Sequence, residues 1–220
     1  MIMQIKLHNN QFQLYLRRND YVIINMQSEL VDLKLVLSPQ GLSSGYSFRG
    51  KIKHVQNGGV RVIQLKDFED NYTSIGDDCY LINNNKIKSK YYLEVGDVLF
   101  VAKGANNFAT VFKSIDDIPT IASSAMFVLK VNKNLANPDF IAWYINQTNV
   151  QNYFKTKESG TYNTSINKTT LEETPIVLPS LEIQTKIATI ADLHIKELAI
   201  SSEILDLKNK LTTKQLLNIL

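Results

Sequence analysis

One cysteine in 220 residues, Cys79, leaves no partner for an internal disulfide, so nothing in the sequence calls for an oxidising compartment. Histidine is almost as scarce. His8, His54 and His194 are scattered, and neither they nor Cys79 make a zinc-ligand spacing, so no metal is expected. Long hydrophobic runs are missing too: the longest, such as 97–102 and 125–131, are far too short to span a bilayer. The opening MIMQIKLHNN lacks a secretory apolar core, and the reading is a cytoplasmic protein with no membrane partner. Neither charge sign is in large excess. With 24 Lys and Arg against 21 Asp and Glu, the net +3 permits nucleic-acid binding without demanding it, and the placement of charge has to decide.

Glycine and proline are both absent from 181–220, a stretch rich in Ile, Leu, Lys and Glu. Without those breakers and with a seven-residue apolar repeat, it predicts one long helix built to lie against another helix. Ile183, Ile190, Leu193, Ile200, Ile204, Leu207 and Leu211 fill the seam, and Lys186, Glu197 and Lys214 interrupt it. A second apolar stripe, Ala191, Ile195, Leu198 and Leu205, runs beside the first. At 1.5 Å per residue the rod could reach roughly 50 to 60 Å, about twice the diameter of a small domain. It needs a partner.

The remaining residues, about 180 on ordinary domain-size grounds, suffice for one core. From 38 to 131, short β-branched and aromatic runs alternate with Gly, Asn, Asp and Ser: Val60-Arg61-Val62-Ile63, Tyr80-Leu81-Ile82, Val98-Leu99-Phe100-Val101 and Met126-Phe127-Val128-Leu129-Lys130-Val131. That spacing predicts a mostly β head. Asn137-Pro138 reads as a helix cap followed by proline at the first helical position, a second short helix is expected over 150–157, and Thr169 to Glu173 fits a further turn. Pro175-Ile176-Val177-Leu178-Pro179 is a short extended run confined by its prolines to a sheet edge or connector. The first forty residues admit either short strands or an adaptor segment. The fold class is thus α+β: a mostly β domain with small helices over 1–179, then one long coiled-coil helix over 180–220.

In order, Gly45-Tyr46-Ser47-Phe48-Arg49-Gly50-Lys51-Ile52, Leu93-Glu94-Val95-Gly96-Asp97-Val98-Leu99-Phe100, Lys103-Gly104, Ala122-Ser123-Ser124-Ala125-Met126-Phe127, Pro138-Asp139-Phe140-Ile141-Ala142-Trp143-Tyr144 and Leu178-Pro179-Ser180-Leu181-Glu182-Ile183-Gln184 carry a family resemblance. Val62-Ile63-Gln64-Leu65-Lys66-Asp67 and Ser159-Gly160 with Ile166 add to it. Jointly they resemble one half of the specificity (S) subunit of a type I restriction-modification enzyme. The resemblance implies a target-recognition domain followed by a spacer helix. A full subunit of that family has two such units with antiparallel helices, so a second copy, or another specificity half, would rebuild the two-domain reader. It also implies double-stranded DNA, an adenine-N6 methyltransferase subunit and, in some systems, a restriction subunit as partners. No cofactor is then expected on this chain, and S-adenosylmethionine belongs to the methyltransferase.

No catalytic constellation stands out in the sequence. Asn137-Pro138-Asp139-Phe140 resembles the family methyltransferase motif Asn-Pro-Pro-Tyr/Phe, but Asp replaces the second proline and a helix start explains Asn-Pro. Asp77-Asp78 and Asp116-Asp117 are adjacent pairs with no spaced Glu-x-Lys to complete a cutting site. No catalytic residue is assigned.

Basic clusters supply the candidate DNA contacts: Arg49, Lys51, Lys53, His54 and Arg61; Lys86, Lys88 and Lys90 beside Tyr91-Tyr92; Lys103 leading into Asn106 and Asn107. Lys and Arg neutralise phosphates, and Arg, Asn and Gln can also read base edges. Tyr162 and Asn163 lie in another polar loop with reading capacity. The bland alternative for the alternating lysines is a solvated edge strand. The rival for the whole chain is a non-catalytic protein–protein scaffold with a coiled-coil stalk.

Overall fold

The computed structural model describes residues 11–12, 26–69, 74–83, 87–103, 107–114, 116–157 and 165–218. The first described elements are a short antiparallel pair, β1 (Gln11–Phe12) and β2 (Met26–Gln27). Next come β3 (Glu29–Asp32), a 3-10 turn over Leu33–Val36, β4 (Leu37–Ser44), β5 (Val60–Ile63), β6 (Phe68–Glu69), β7 (Ser74–Ile75), β8 (Tyr80–Ile82), β9 (Val98–Val101), β10 (Ala109–Val111), β11 (Thr120–Ala122) and β12 (Met126–Val131). Three small helices follow, α1 (Pro138–Ile145), α2 (Thr148–Lys157) and α3 (Lys168–Glu172), then β13 (Pro175–Leu178) and the long α4 (Leu181–Leu217). The architecture is α+β, a mostly β head followed by one long helix, as the sequence pattern predicts.

An antiparallel sheet ordered β10-β9-β12-β4 forms the centre of the head. All four residues of β9 are buried, because the strand is covered on both faces. Val98 and Phe100 join one apolar cluster with Leu129, Phe140, Ile141, Ile145 and Phe154, while Leu99 and Val101 join another with Ile63, Phe68, Phe108 and Met126. Such a strand reads as a continuous apolar run, the pattern seen in the sequence. β4 lies at the sheet edge, which is where its Pro39 costs no ladder bond. Gly41 in β4 is there for space: a Cβ would lie 2.6 Å from the Ser38 carbonyl oxygen and 2.9 Å from that of Lys130. A second sheet, β11-β5-β8, joins β11 parallel and β8 antiparallel to β5.

Local signals fix the helices. The Asn137 side-chain oxygen accepts from the Asp139 backbone N–H at 2.8 Å and from that of Phe140 at 3.4 Å, and Pro138 occupies the first turn. α1 then lays Phe140, Ile141 and Ile145 on the central sheet. Phe140→Ala is expected to destabilise the head by about 3 to 5 kcal/mol, the usual cost of deleting a buried aromatic ring. Urea denaturation checks this, and a loss well under 1 kcal/mol would contradict the packing.

β3 settles part of the unassigned N-terminal stretch. It pairs antiparallel with β13, Val31 opposite Ile176, so the start of the head closes on the segment that leads into α4. Residues 1–10 and 13–25 lie outside the described residues. α4 docks only at its beginning, where Gln184 and Ala188 are buried and Ile187 packs against the main cluster. From Leu193 to Asn218 every residue is exposed. Ion pairs spaced four apart, Lys186 with Glu182, Lys196 with Asp192 and Lys210 with Asp206, support this solvated rod.

Candidate nucleic-acid interface

The segment after β4 begins at Gly45, where a Cβ would collide with the Ser123 carbonyl, so only glycine lets the chain pass. Tyr46 is held by its N–H to the Ala122 carbonyl at 2.7 Å and by accepting from Ser124 N–H at 3.0 Å. From there the residues alternate. Tyr46, Phe48 and Ile52 are half-buried against Val60, Val62 and Ile121, while Ser47, Arg49, Lys51 and Lys53 are exposed. The apolar members thus anchor the segment and leave its cations in water.

A 3-10 turn at Ser89–Tyr91 brings a second basic segment to the same apolar bed. Tyr91 meets Tyr46 edge to face at 5.1 Å, and Tyr46 meets Phe48 at 4.8 Å, which ties the two segments together. The Lys90 ammonium lies 5.0 Å from the Tyr91 ring centre, and Lys88 and Lys90 are exposed. Arg49, Lys51, Lys53, Lys88 and Lys90 are therefore carried by two segments that share one aromatic anchor. His54 borders them: its Nδ1 accepts from the Leu81 N–H at 3.1 Å and its ring lies 5.4 Å from that of Tyr80.

Two sequence candidates face inward. Arg61 is only 6% exposed, on β5 between β8 and β11, and its guanidinium grips both carboxylate oxygens of Asp116 at 2.6 Å. The bidentate hydrogen bond from Arg61 holds the Asp116 carboxyl below its usual range. Asn107 is 8% exposed and donates to the Val101 carbonyl at 3.0 Å, at the end of β9. As placed, neither side chain is available to DNA. Neighbouring cations made Arg61 look like a surface residue, but its strand is buried throughout.

Lys103 is exposed at the end of β9 and bridges antiparallel to Ser165. Lys86, Asn106, Tyr162 and Asn163 lie outside the described residues. Sequence reasoning missed the anchoring role of Tyr46, Phe48 and Tyr91, although the two-residue alternation of apolar and basic residues from 46 to 53 was the available signal. It placed Gln184 in a family motif but missed that the side chain is fully buried.

Other chemistry finds no support among the described residues. No group of three or more His, Cys, Asp or Glu is placed to hold a metal ion. Burial pushes the Cys79 thiol up to about 12, with Asp67 nearby adding to the shift, so a reactive thiolate is not available near neutral pH. Among the described residues no helix is long and apolar enough to cross a membrane.

Residues 27–209 match the family described as the type I restriction modification DNA specificity domain. The chain belongs to this family. The match to the specificity domain covers most of the head and most of α4. The fold is similar to the crystal structure of a type I restriction-modification system S subunit from M. genitalium, with 12% identity and a TM-score of 0.56 over 89% of this chain and 45% of that one. It is also similar to the HsdS subunit from Thermoanaerobacter tengcongensis, with 16% identity and a TM-score of 0.57 over 79% of this chain and 43% of that one. A structure titled for complex assembly and conformational transition of the type I R-M system matches with 16% identity and a TM-score of 0.59, over 79% and 44%. This specificity domain thus spans less than half the length of each of these structures. A search of curated proteins gives no match.

Proposed function

We propose that this chain is a non-catalytic DNA-specificity half of a type I restriction-modification system, working in the cytoplasm. Residues 1–179 read one half-site of double-stranded DNA. Residues 180–220 pair with the helix of a second copy, or of another specificity half, and help dock the methyltransferase subunit, with a restriction subunit where one joins. The observation that carries the reading is the pair of basic segments bound to one aromatic anchor, with five exposed cations on a chain of nearly balanced charge. Phosphate neutralisation needs such a local excess. Lys103 and His54 are proposed as flanking contacts.

Ile190, Leu193, Ile200, Ile204, Leu207 and Leu211 are all exposed, and Ile183 is half-buried where the rod leaves the head. Pairing two such helices antiparallel sets two heads apart by a distance fixed by helix length, a ruler for a bipartite site. The methyl donor is expected on the methyltransferase subunit, so the purified chain alone should transfer no methyl group. Turnover by the isolated chain would end that division of labour.

A salt titration of duplex binding by fluorescence anisotropy tests the DNA reading. The logarithm of affinity should fall linearly with the logarithm of salt, with a slope near −0.9 per phosphate neutralised. Absence of binding even at low salt would favour the protein-only scaffold.

Arg61→Met separates structural from interfacial cations. It is expected to lower the urea midpoint and leave the salt slope unchanged, since the buried guanidinium meets Asp116 and not solvent. The pH dependence has a definite sign. The Asp116 carboxyl is lowered from its ordinary 3.8, so the pair's contribution is full above that value and is lost as pH falls through the lowered one. The stability gap between wild type and variant should therefore narrow on acidification below the ordinary carboxylate range. A gap that widens there would contradict the pairing.

A further inference from the structure

Gln184 is 0% exposed, yet it is a polar residue in the first turns of a helix whose later turns are all in water. Its amide is fully engaged. The side-chain oxygen accepts from the Asn137 backbone N–H at 2.8 Å, and the amide nitrogen donates to the Pro179 carbonyl at 2.8 Å and the Leu135 carbonyl at 3.3 Å. The three partners come from two different places: Leu135 and Asn137 lead into α1, and Pro179 is the elbow between β13 and α4. Asn137 caps α1, and its side-chain amide also donates to the Thr185 hydroxyl at 3.4 Å. α1 in turn rests on the central sheet through Phe140, Ile141 and Ile145. One side chain therefore joins the rod, the elbow and the helix that is seated on the head.

We infer that Gln184 is a positioning residue for DNA specificity: it fixes the angle at which the reading head sits on the spacer helix, and through that angle the half-site spacing the paired chain accepts. Apolar contacts alone would let the helix roll. Burial of Ala188 and Ile187 in the main apolar cluster is nearly indifferent to small rotations, whereas hydrogen bonds weaken steeply as their angles open. Three bonds in different directions on one buried amide remove that freedom, and a buried amide deprived of them is costly.

The lever is long enough to matter. A head of this size has a radius of gyration of about 16 Å, so about 10° of slack moves its surface by about 3 Å. That is close to the rise of roughly 3.4 Å per base pair, and two heads each contribute. Loss of the lock would blur the spacing without touching a single DNA contact.

This inference rests on the two-headed reading proposed above, and the test separates the two. A bipartite duplex is first selected from random DNA with the full-length wild-type chain. Its spacer is then lengthened and shortened by one to three base pairs. The wild type should lose at least about tenfold in affinity for a one-base-pair change. Gln184→Met, which keeps the volume and loses the hydrogen bonds, should bind the best duplex about as well but discriminate by less than threefold, while remaining dimeric by light scattering. Gln184→Leu serves as a second variant if the Met chain does not fold. Variants as sharp as the wild type would overturn the role of Gln184 alone. A wild-type chain indifferent to spacing would overturn the two-headed reading and this inference with it.

Discussion

If two copies pair through α4 as proposed, replacing Ile200 and Leu207 by Asp together is expected to leave a monomer whose head is unchanged. The two side chains lie seven residues apart on α4, so they fall on one face, and they are 58% and 56% exposed in the single chain. In a helix pair they become buried, and each copy contributes both. Burying an Ile or Leu side chain is worth about 1.5 to 3 kcal/mol, so four of them account for roughly 6 to 12 kcal/mol. The added carboxylates would also be forced into an apolar seam. At about 1.4 kcal/mol per factor of ten, even the lower figure weakens association by about four orders of magnitude. Neither residue touches the head's core, so the melting of the head should not move. A dimer that survives would relocate the interface to the neighbouring stripe of Ile195, Leu198 and Leu205.

The triple change of Arg49, Lys51 and Lys53 to Ala should weaken DNA binding by about a hundredfold at physiological salt and flatten the salt dependence by about 0.9 per cation lost. All three are exposed, while Tyr46, Phe48 and Ile52 anchor the segment between and beside them. The fold should therefore survive. Fluorescence anisotropy across a salt series, with thermal melting as control, gives both numbers. An unchanged slope would move the interface elsewhere, Lys103 being the next cation to test. The contrast with Arg61→Met is the sharper check, because the two changes act on different quantities: slope for the triple variant, stability for the single one.

Much of the fold was readable because the deciding interactions are local. The long helix needs only its own period and the absence of Gly and Pro from 181–220. α1 announces itself through Pro138 and through Asn137, whose side-chain oxygen accepts from N–H groups only two and three residues on. β9 and β12 show their burial directly in the sequence as apolar runs. What could not be read depends on distant partners. β3 is defined by β13, more than a hundred residues later, and its own four residues, Glu-Leu-Val-Asp, carry little strand signal.

The site divides in the same way. Cations at 49, 51 and 53 alternate with apolar neighbours, so their exposure could be inferred from period alone. Arg61 could not be assigned, since its fate depends on Asp116, which is 55 positions away. Gln184 was equally opaque. In sequence it closes the Leu178-to-Gln184 stretch that carries part of the family resemblance, but its burial and its contacts with Leu135, Asn137 and Pro179 depend on partners that the sequence does not place.

The most direct test of the central claim is selection of duplexes from a random pool by the full-length chain at moderate salt, followed by sequencing. A bipartite site should be enriched, two half-sites at one fixed spacing, inverted if the pair is made of identical copies. A bound pool with no sequence in common would contradict it.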